Sequence, residues 1–261
     1  MVDGADVELV VRGEVGERAV DYARTKVIGL AEHLEEPLLH ARIRLTHQPD
    51  PAVARPVRAQ ANLDVDGRLV RAQVAGATAT EAVDLLVERL RHRLVRSKQH
   101  WQARRGAQPV AEPHEWRHGS EPTHRPPYYP RAVEERQLIR HKSFSPARTD
   151  PGEAAWEMDQ MDYDFHLFTE GTTGRDAVVY RGGPTGYRVA WVGSGPLSLA
   201  ESDVPLTLSP HPAPELSVEL ARQRLEEAGW PFVFFADAET GRGKVLYHRY
   251  DGHYGLITPA G

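Results

Sequence analysis

Apolar residues in the first 105 positions recur with two different periods. In DVELVVR, which starts at Asp6, Val7, Leu9 and Val11 lie at every second position, as one face of a half-buried β-strand requires. Residues 17–34 then place them at the three- and four-residue spacing of an amphipathic helix. Alternation returns in ARIRLTH, VRAQANLDV and RLVRAQVA, and the Asp66-Gly67 pair between the last two favours a hairpin turn.

A second helix is predicted to begin at TATE, residues 78–81. Thr78 fits the N-cap position and Glu81 the position that reaches back to it, and the two together form a capping box. The order β-α-β-β-β-α predicts an α+β domain over residues 1–105, a sheet with two helices on one face. The second helix carries one apolar stripe, formed by Val83, Leu86, Leu90, Leu94 and Trp101.

Residues 106–140 show neither period and are rich in proline, with Tyr128 and Tyr129 beside a Pro-Pro pair. Segments of this composition form extended, flexible connections. We therefore predict a flexible linker over residues 106–140, followed by a second folded region.

The second region contains an internal repeat. FHLFTEGTTGRDAVVYRGGPTGY (165–187) aligns without gaps with FVFFADAETGRGKVLYHRYDGHY (232–254), at an offset of 67 residues. Each copy places a Thr-Gly pair between two apolar strands, which predicts a hairpin, and each copy follows a short helical stretch. We predict two small α+β repeats, one over residues 141–193 and one, preceded by a connector, over residues 194–261.

Charge is distributed unevenly along the chain. The formal net charge is −5, yet the basic segment RLRHRLVRSKQHWQARR, residues 89–105, holds seven Lys or Arg and no acid. A solvated helical face usually mixes both signs, because like charges four residues apart repel. A solvated face is the alternative, but the pattern favours a polyanion, and structured RNA bound through its phosphates fits best. The candidate contact residues are Arg89, Arg91, Arg93, Arg96, Lys98, Arg104 and Arg105 on the helix, with Arg42 and Arg44 on the strands.

One motif offers competing chemistry. HEWRH, which contains His114 and His118, matches the HExxH zinc-protease pattern, and His124 stands where a third ligand would. Pro113 precedes the motif and no apolar stripe would hold a helix there, so no catalysis is predicted and no metal site is assigned, with adventitious or regulatory zinc binding as the alternative. The chain has no cysteine for a thiolate site and no apolar run near ~18 residues for a membrane span. No cofactor or small-molecule substrate is expected.

These segments resemble the long form of the ribosome hibernation promoting factors over nearly the whole chain. The N-terminal likeness rests on VRGEV and on ATEAVDLLVERLRHRLVRSK, in which Arg91 and His92 replace the Glu and Arg usual in the family. DFHLF…TGRDAVVYR and FVFF…TGRGKVLYHRYDGHYGLI both look like the family's C-terminal domain, which is usually present once. The resemblance implies a cytoplasmic factor, not an enzyme, that lies against small-subunit ribosomal RNA in the decoding cleft and blocks messenger and transfer RNA.

The acidic C-terminal half leaves two questions open at this point. The large subunit and ribosomal proteins are candidate contacts for it, beside the small-subunit RNA implied for the N-terminal half. A protein-binding stress regulator that acts through these acidic repeats is the second functional hypothesis, because the two halves differ in charge sign.

The resemblance also implies how the repeats behave. In the family a single C-terminal domain pairs with that of a second factor, which helps to join two ribosomes. Here both partners share one chain, so we predict internal pairing, a monomer in solution and the silencing of single ribosomes. Diverged copies, or strands swapped between chains, would instead still give dimers. The predicted pairing face comprises Phe165, Phe168, Val178, Tyr180, Phe232, Phe235, Val245 and Tyr247.

Overall fold

The computed structural model describes residues 6–34, 36–48, 53–104, 131–182, 185–195, 197 and 204–260. These residues form two compact units, which are described separately. The first contains the N-terminal residues up to Arg104 and the short segment Gln160–Asp162, and the second contains the remainder. Among the described residues, no helix has the length and apolar character needed to cross a bilayer.

The first unit has the predicted β-α-β-β-β-α order. Its four strands lie in the order β1-β2-β3-β4, with β1 parallel to β2 and the other pairs antiparallel. The elements are β1 (Asp6–Arg12), α1 (Glu17–Ala31), β2 (Leu38–His47), β3 (Val57–Val65), β4 (Arg68–Gly76) and α2 (Ala79–Arg104).

Strict alternation places one face of this sheet against both helices. Every second residue of β3, from Val57 to Val65, is buried, and its neighbours are only partly buried. Helix α2 packs on β3 and β4, while α1 packs on β1, β2 and α2. Gly76 allows α2 to lie close to β4, since a Cβ there would stand 2.6 Å from the Ala82 nitrogen.

The predicted turn and cap are both present. Asp66 and Gly67 have φ angles of 51° and 79°, the left-handed pair that a tight hairpin turn requires. Thr78 Oγ1 accepts a hydrogen bond from the Glu81 nitrogen at 3.1 Å. The Glu81 carboxylate accepts from the Ala77 nitrogen at 2.7 Å, one residue earlier than in the usual capping box.

The second unit consists of two five-stranded sheets, each with one helix. The first-repeat sheet has the order β10-β9-β8-β7-β6 and the second-repeat sheet the order β11-β12-β13-β14-β5. The elements before and within the first repeat are β5 (Leu138–Phe144), β6 (Arg148–Thr149), α3 (Pro151–Gln160), β7 (Phe165–Glu170), β8 (Asp176–Arg181) and β9 (Tyr187–Trp191). The later elements are β10 (Leu206–Leu208), β11 (Glu215–Leu216), α4 (Val218–Ala228), β12 (Phe232–Asp237), β13 (Gly243–His248) and β14 (Tyr254–Pro259).

The two repeats exchange their outer strands. Strand β5 precedes the first repeat but pairs in parallel with β14 of the second, and β10 precedes the second repeat but pairs in parallel with β9 of the first. The registers are equivalent at the offset of 67 residues, since Thr207 lies opposite Arg188 and Arg140 lies opposite Gly255. Each sheet is therefore completed by chain that belongs, in sequence, to the other repeat.

This exchange changes the boundaries expected from the sequence. The predicted linker, residues 106–140, lies outside the described residues as far as position 130. The described chain resumes at Arg131, with a 3-10 turn at Val133–Glu135 and the start of β5. The predicted connector likewise contributes β10 to the first-repeat sheet. A short parallel strand has no hairpin to mark its partner, so its assignment to a sheet is not visible in the local pattern.

Candidate nucleic-acid interface and repeat interface

The basic segment lies on α2, whose apolar stripe fixes its orientation. Val83, Leu86 and Leu90 are fully buried and Leu94 nearly so, as the helical spacing predicts. Because these residues face the sheet, Arg91 lies on an exposed part of the helix. The helix thus presents Arg91 from a fixed scaffold, as a phosphate contact requires.

Two of the predicted contact residues already have an anionic partner inside the first unit. Asp162, which is fully buried, accepts hydrogen bonds from Arg89 at 2.8 Å and from Arg93 at 2.6 Å. Arg93 is itself only 8% exposed, so it does not lie on the exposed flank of the helix where its spacing predicts it. Helical spacing cannot reveal an acid that lies about seventy residues further along the chain.

The remaining predicted residues of the basic segment are located only in part. Arg96, Lys98 and Arg104 lie on α2, but their side chains are outside the described residues, as is the whole of Arg105. Their role as RNA contacts stays a prediction.

Arg42 and Arg44 lie on the sheet face opposite the helices. Ile43 and Leu45 between and beyond them are fully buried, so alternation turns both arginines outward. Arg42 forms a half-exposed ion pair with Glu8 at 3.1 Å. This sheet face therefore carries both arginines beside an acid, and their role as RNA contacts stays a prediction.

The two repeats pack against each other through a shared apolar cluster. The Phe165 and Phe232 rings, which occupy equivalent positions, have centroids 4.6 Å apart. Phe165 also lies 5.7 Å from Tyr247, and the equivalent Tyr180–Phe232 distance is 5.6 Å. Six of the eight predicted pairing residues belong to this cluster, namely Phe165, Val178, Tyr180, Phe232, Val245 and Tyr247.

Phe168 and Phe235 do not belong to the shared cluster, contrary to the prediction. Side chains alternate along a strand, so residues three apart face opposite sides of the sheet. Phe235 packs in the second repeat's own core, with Leu225 of α4. Leu167 and Phe234 occupy the interface instead. Period-two spacing from Phe165 and Phe232 would have identified both.

An ion pair joins the repeats at one edge of this cluster. The buried carboxylate of Asp176 accepts hydrogen bonds from Arg242 Nε at 2.8 Å and from the Gly243 nitrogen at 2.8 Å. The hydrogen bond to Asp176 raises the pKa of Arg242, and this effect is larger than the lowering caused by burial. Asp176 and Gly243 are equivalent positions of the two repeats, so this contact cannot be the same in both directions.

Each Thr-Gly hairpin is held by a buried acid that the sequence reading missed. Glu170 accepts bonds from the Thr173 nitrogen and hydroxyl, both at 2.6 Å. Burial alone would raise the Glu170 pKa, but the bonds from Thr173 and Thr172 lower it overall. Asp237, the equivalent residue, accepts from Thr240 Oγ1 at 2.7 Å, and bonds from Lys244 and Thr240 likewise lower its pKa despite burial. The signal available in the sequence was an acid three residues before each Thr.

A buried tyrosine joins helix to sheet in each repeat. Tyr187 donates to Asp159 of α3 at 2.5 Å, and Tyr254 donates to Glu226 of α4 at 2.5 Å. Burial, followed by the hydrogen bond to Glu226, raises the pKa of Tyr254 to about 12. These groups are structural, since each carboxylate is occupied by partners from its own fold.

Among the described residues, no group of three metal-ligating side chains comes together. His114, His118 and His124 of the HExxH pattern lie outside the described residues.

Two family models match the chain. The model described as "Sigma 54 modulation protein / S30EA ribosomal protein" matches residues 10–102. The model described as "Sigma 54 modulation/S30EA ribosomal protein C terminus" matches twice, over residues 133–189 and 209–256. The second model therefore finds both repeats.

The chain is also similar to curated proteins and to solved structures. A protein named "Dormancy associated translation inhibitor" from Mycobacterium tuberculosis, in strains CDC 1551 / Oshkosh and H37Rv, is 38% identical over 230 residues, covering 85% of this chain and 77% of the relative. The Thermus thermophilus Protein Y N-terminal domain is 23% identical, with a TM-score of 0.30, and covers 35% of this chain and 98% of that domain. A ribosomal subunit interface protein from Coxiella burnetii is 16% identical, with a TM-score of 0.30, and covers 36% and 97%.

Proposed function

Because the chain belongs to the sigma 54 modulation/S30EA ribosomal protein family, as a long form with a duplicated C-terminal domain, we propose that it is a ribosome hibernation factor. It inhibits translation, as the name of its mycobacterial relative describes for that protein, and it does so by binding the ribosome, which the description of the matched family as a ribosomal protein supports. The observation that carries the proposal is the agreement of all three matched regions, in order, with one family.

The first unit is the part that binds small-subunit ribosomal RNA, in the decoding cleft where messenger and transfer RNA would otherwise lie. Support comes from α2, which carries six cations of the acid-free basic segment, two of them bound to Asp162, and which is oriented by a buried stripe. Cations on a rigid helix match phosphates spaced along a folded RNA backbone. Inhibition then follows from occupied space, with no bond made or broken.

The second unit acts as an internally paired module. In a factor with one C-terminal domain, the apolar pairing face is available to a second chain. Here Phe165 and Phe232 already pack on each other within one chain, and β5 and β10 are exchanged between the repeats. We therefore propose that the free factor is monomeric and that it silences single ribosomes.

Sedimentation with ribosomes at low salt tests the proposal. The wild-type chain should move with the ribosome, and a variant with Arg91→Glu and Lys98→Glu should not. Binding should also lose roughly 0.7–0.9 of log–log salt slope for each phosphate contact removed. This pair avoids Arg89 and Arg93, whose reversal beside Asp162 would disturb the fold.

The control has the same change in net charge at exposed positions of the second unit, Arg140→Glu and Arg224→Glu. It should sediment with ribosomes as the wild type does. Wild-type protein that remains at the top of the gradient would refute ribosome binding and favour the protein-binding regulator. Ribosome pairs formed by wild-type factor would refute the single-ribosome proposal alone.

A further inference from the structure

The two repeats meet along a line of equivalent positions, and the residues differ at one end of that line. At one end, Phe165 faces Phe232, so both repeats offer the same side chain. At the other end, Asp176 faces Gly243. Only one of these two residues has a side chain to place in the interface.

The space at Gly243 is already filled by its neighbours. A Cβ at this position would lie 2.7 Å from Asp176 Cβ and 2.9 Å from the Phe234 ring. Both distances are shorter than ordinary carbon contacts, and Asp176 Cβ is fixed to a strand. In the first repeat, the position equivalent to Phe234 is the smaller Leu167. Asp176 with Leu167 thus complements Gly243 with Phe234.

We infer that the repeats have diverged into complementary halves, so that each recognises the other in preference to a copy of itself. Asp176 and Leu167 form one half of this specificity pair, and Gly243 and Phe234 form the other. The inference deepens the internal pairing of the proposed function and rests on it. The recognition is chemical as well as steric, because a carboxylate of the first repeat binds a glycine N–H and the adjacent arginine of the second.

Pairing of two first repeats would be opposed by two effects. Two Asp176 side chains would have to share the space that Gly243 leaves for one, at a Cβ separation below 3 Å in the present geometry. Two carboxylates would also meet where a single carboxylate now receives bonds from Arg242 and from the Gly243 nitrogen.

Pairing of two second repeats would be opposed for the reverse reason. Two Gly243 residues would leave the volume of the Asp176 side chain empty, which costs packing energy. The buried Gly243 N–H and the partly exposed Arg242 guanidinium would both lose the Asp176 acceptor, and an unmet buried donor such as this N–H is unfavourable. Selection against like pairs is the usual means by which related interfaces avoid mixing.

Two full-length variants make the halves of a chain alike. The acid chain carries Phe234→Leu and Gly243→Asp, so that both repeats have the Leu-Asp combination. The glycine chain carries Leu167→Phe and Asp176→Gly, so that both repeats have Phe-Gly. In each variant alone, cleavage within residues 165–257 by a protease should be at least about tenfold faster than in wild type.

Mixing the two variants is the decisive measurement. The acid chain and the glycine chain, at equal concentration, should form a heterodimer of twice the chain mass in native mass spectrometry. Neither should form a comparable homodimer alone. A chain with all four substitutions exchanges the halves within one molecule and should regain monomeric mass and wild-type resistance to protease.

A chain with Gly171→Asp serves as the matched control, because a Cβ at this exposed glycine meets nothing closer than 3.7 Å. It should resist protease as the wild type does. Three results would each overturn the inference. They are wild-type protease resistance of the acid chain, homodimers of either variant as abundant as the heterodimer, and a mixture that forms no heterodimer. These measurements use the free protein, so they fail or succeed independently of ribosome binding.

Discussion

The first and second repeats keep the same buried tyrosine but surround its carboxylate differently. In the first repeat, Asp159 binds Tyr187 and also Arg181, at 2.6 Å, on the neighbouring strand. In the second, Glu226 occupies the equivalent position beside Tyr254. The residue equivalent to Arg181 is now His248, 3.5 Å from Glu226, and the strong cation is Arg136 at 2.6 Å.

The source of that cation shows what the exchange of strands provides. Arg136 precedes β5, so it reaches Glu226 only because β5 crosses to the second-repeat sheet. An arginine from the sheet has been replaced by one from exchanged chain, while the acid and the tyrosine stay. Both repeats therefore keep the tyrosine–carboxylate hydrogen bond between helix and sheet. The arginine that neutralises the carboxylate comes from a different segment in each repeat.

The largest expected effect is the loss of an aromatic ring from the shared cluster. Phe165→Ala should lower the free energy of unfolding of the second unit by about 3–5 kcal/mol, because Phe165 is 8% exposed and packs on Phe232 and Tyr247. Phe232→Ala should cost less, since Phe232 is only partly buried. Urea denaturation of both variants gives the comparison.

Leu220→Ala is the control for this pair, because Leu220 is 53% exposed on α4 and should change stability by less than about 0.5 kcal/mol. Equal losses for Phe165→Ala and Phe232→Ala would show that the two repeats contribute alike, and would weaken the distinction drawn between them.

The second effect concerns the buried tyrosines. Tyr187→Phe and Tyr254→Phe each remove one hydrogen bond to a carboxylate and leave the ring in place, so each should cost about 1.5–3 kcal/mol. Similar losses in urea denaturation would support the view that this bond is the constrained part of both repeats. A loss near zero in one variant would show that the cation alone holds the helix there.

Alkaline pH should separate the wild type from Tyr254→Phe. The pKa of Tyr254 is raised from 10.0 to about 12 in the folded chain, so the unfolded chain releases this proton first. The resulting stabilisation is fully present below pH 10 and is lost as pH rises from 10 to about 12. Across this pH window, the midpoint temperature of thermal unfolding should fall less steeply for Tyr254→Phe than for wild type.

The repeat alignment predicted the hairpins and helices of both copies, because identical residues at a fixed offset identify equivalent structure without any knowledge of packing. It did not predict which face each residue occupies. Phe168 and Phe235 match as well as Phe165 and Phe232 do, yet they lie on the opposite side of the sheet. Matching reports duplication, whereas the face of a strand depends on its alternation.

Two features depended on contacts between distant segments. The exchange of β5 and β10 leaves no local trace, because a parallel strand gains its partner only in the folded unit. The helical spacing predicts that Arg89 and Arg93 are exposed and available to a ligand. Their ion pairs with Asp162 form only in the folded chain. By contrast, the stripe through Val83, Leu86 and Leu90 was predictable, because it depends on helical geometry alone.

The smallest expected effect tests whether the two Thr-Gly turns use their acids in the same way. Hydrogen bonds lower the pKa of Glu170 below 4.5 and that of Asp237 below 3.8, although burial opposes both shifts. An acid with a depressed folded pKa stabilises the fold above its unfolded pKa, and this contribution is lost as pH falls through the folded value. Glu170→Gln and Asp237→Asn should each cost about 1 kcal/mol at pH 7 and should reduce the loss of stability below pH 4.5, as followed by urea midpoints.

Glu239→Gln, on an exposed residue of the second turn, is the control and should leave the stability at pH 7 and its loss at acid pH unchanged. If only Asp237→Asn changes the loss of stability at acid pH, the Lys244 ion pair at 2.8 Å carries the effect and the two turns are held differently, because the position equivalent to Lys244 in the first repeat is Ala177.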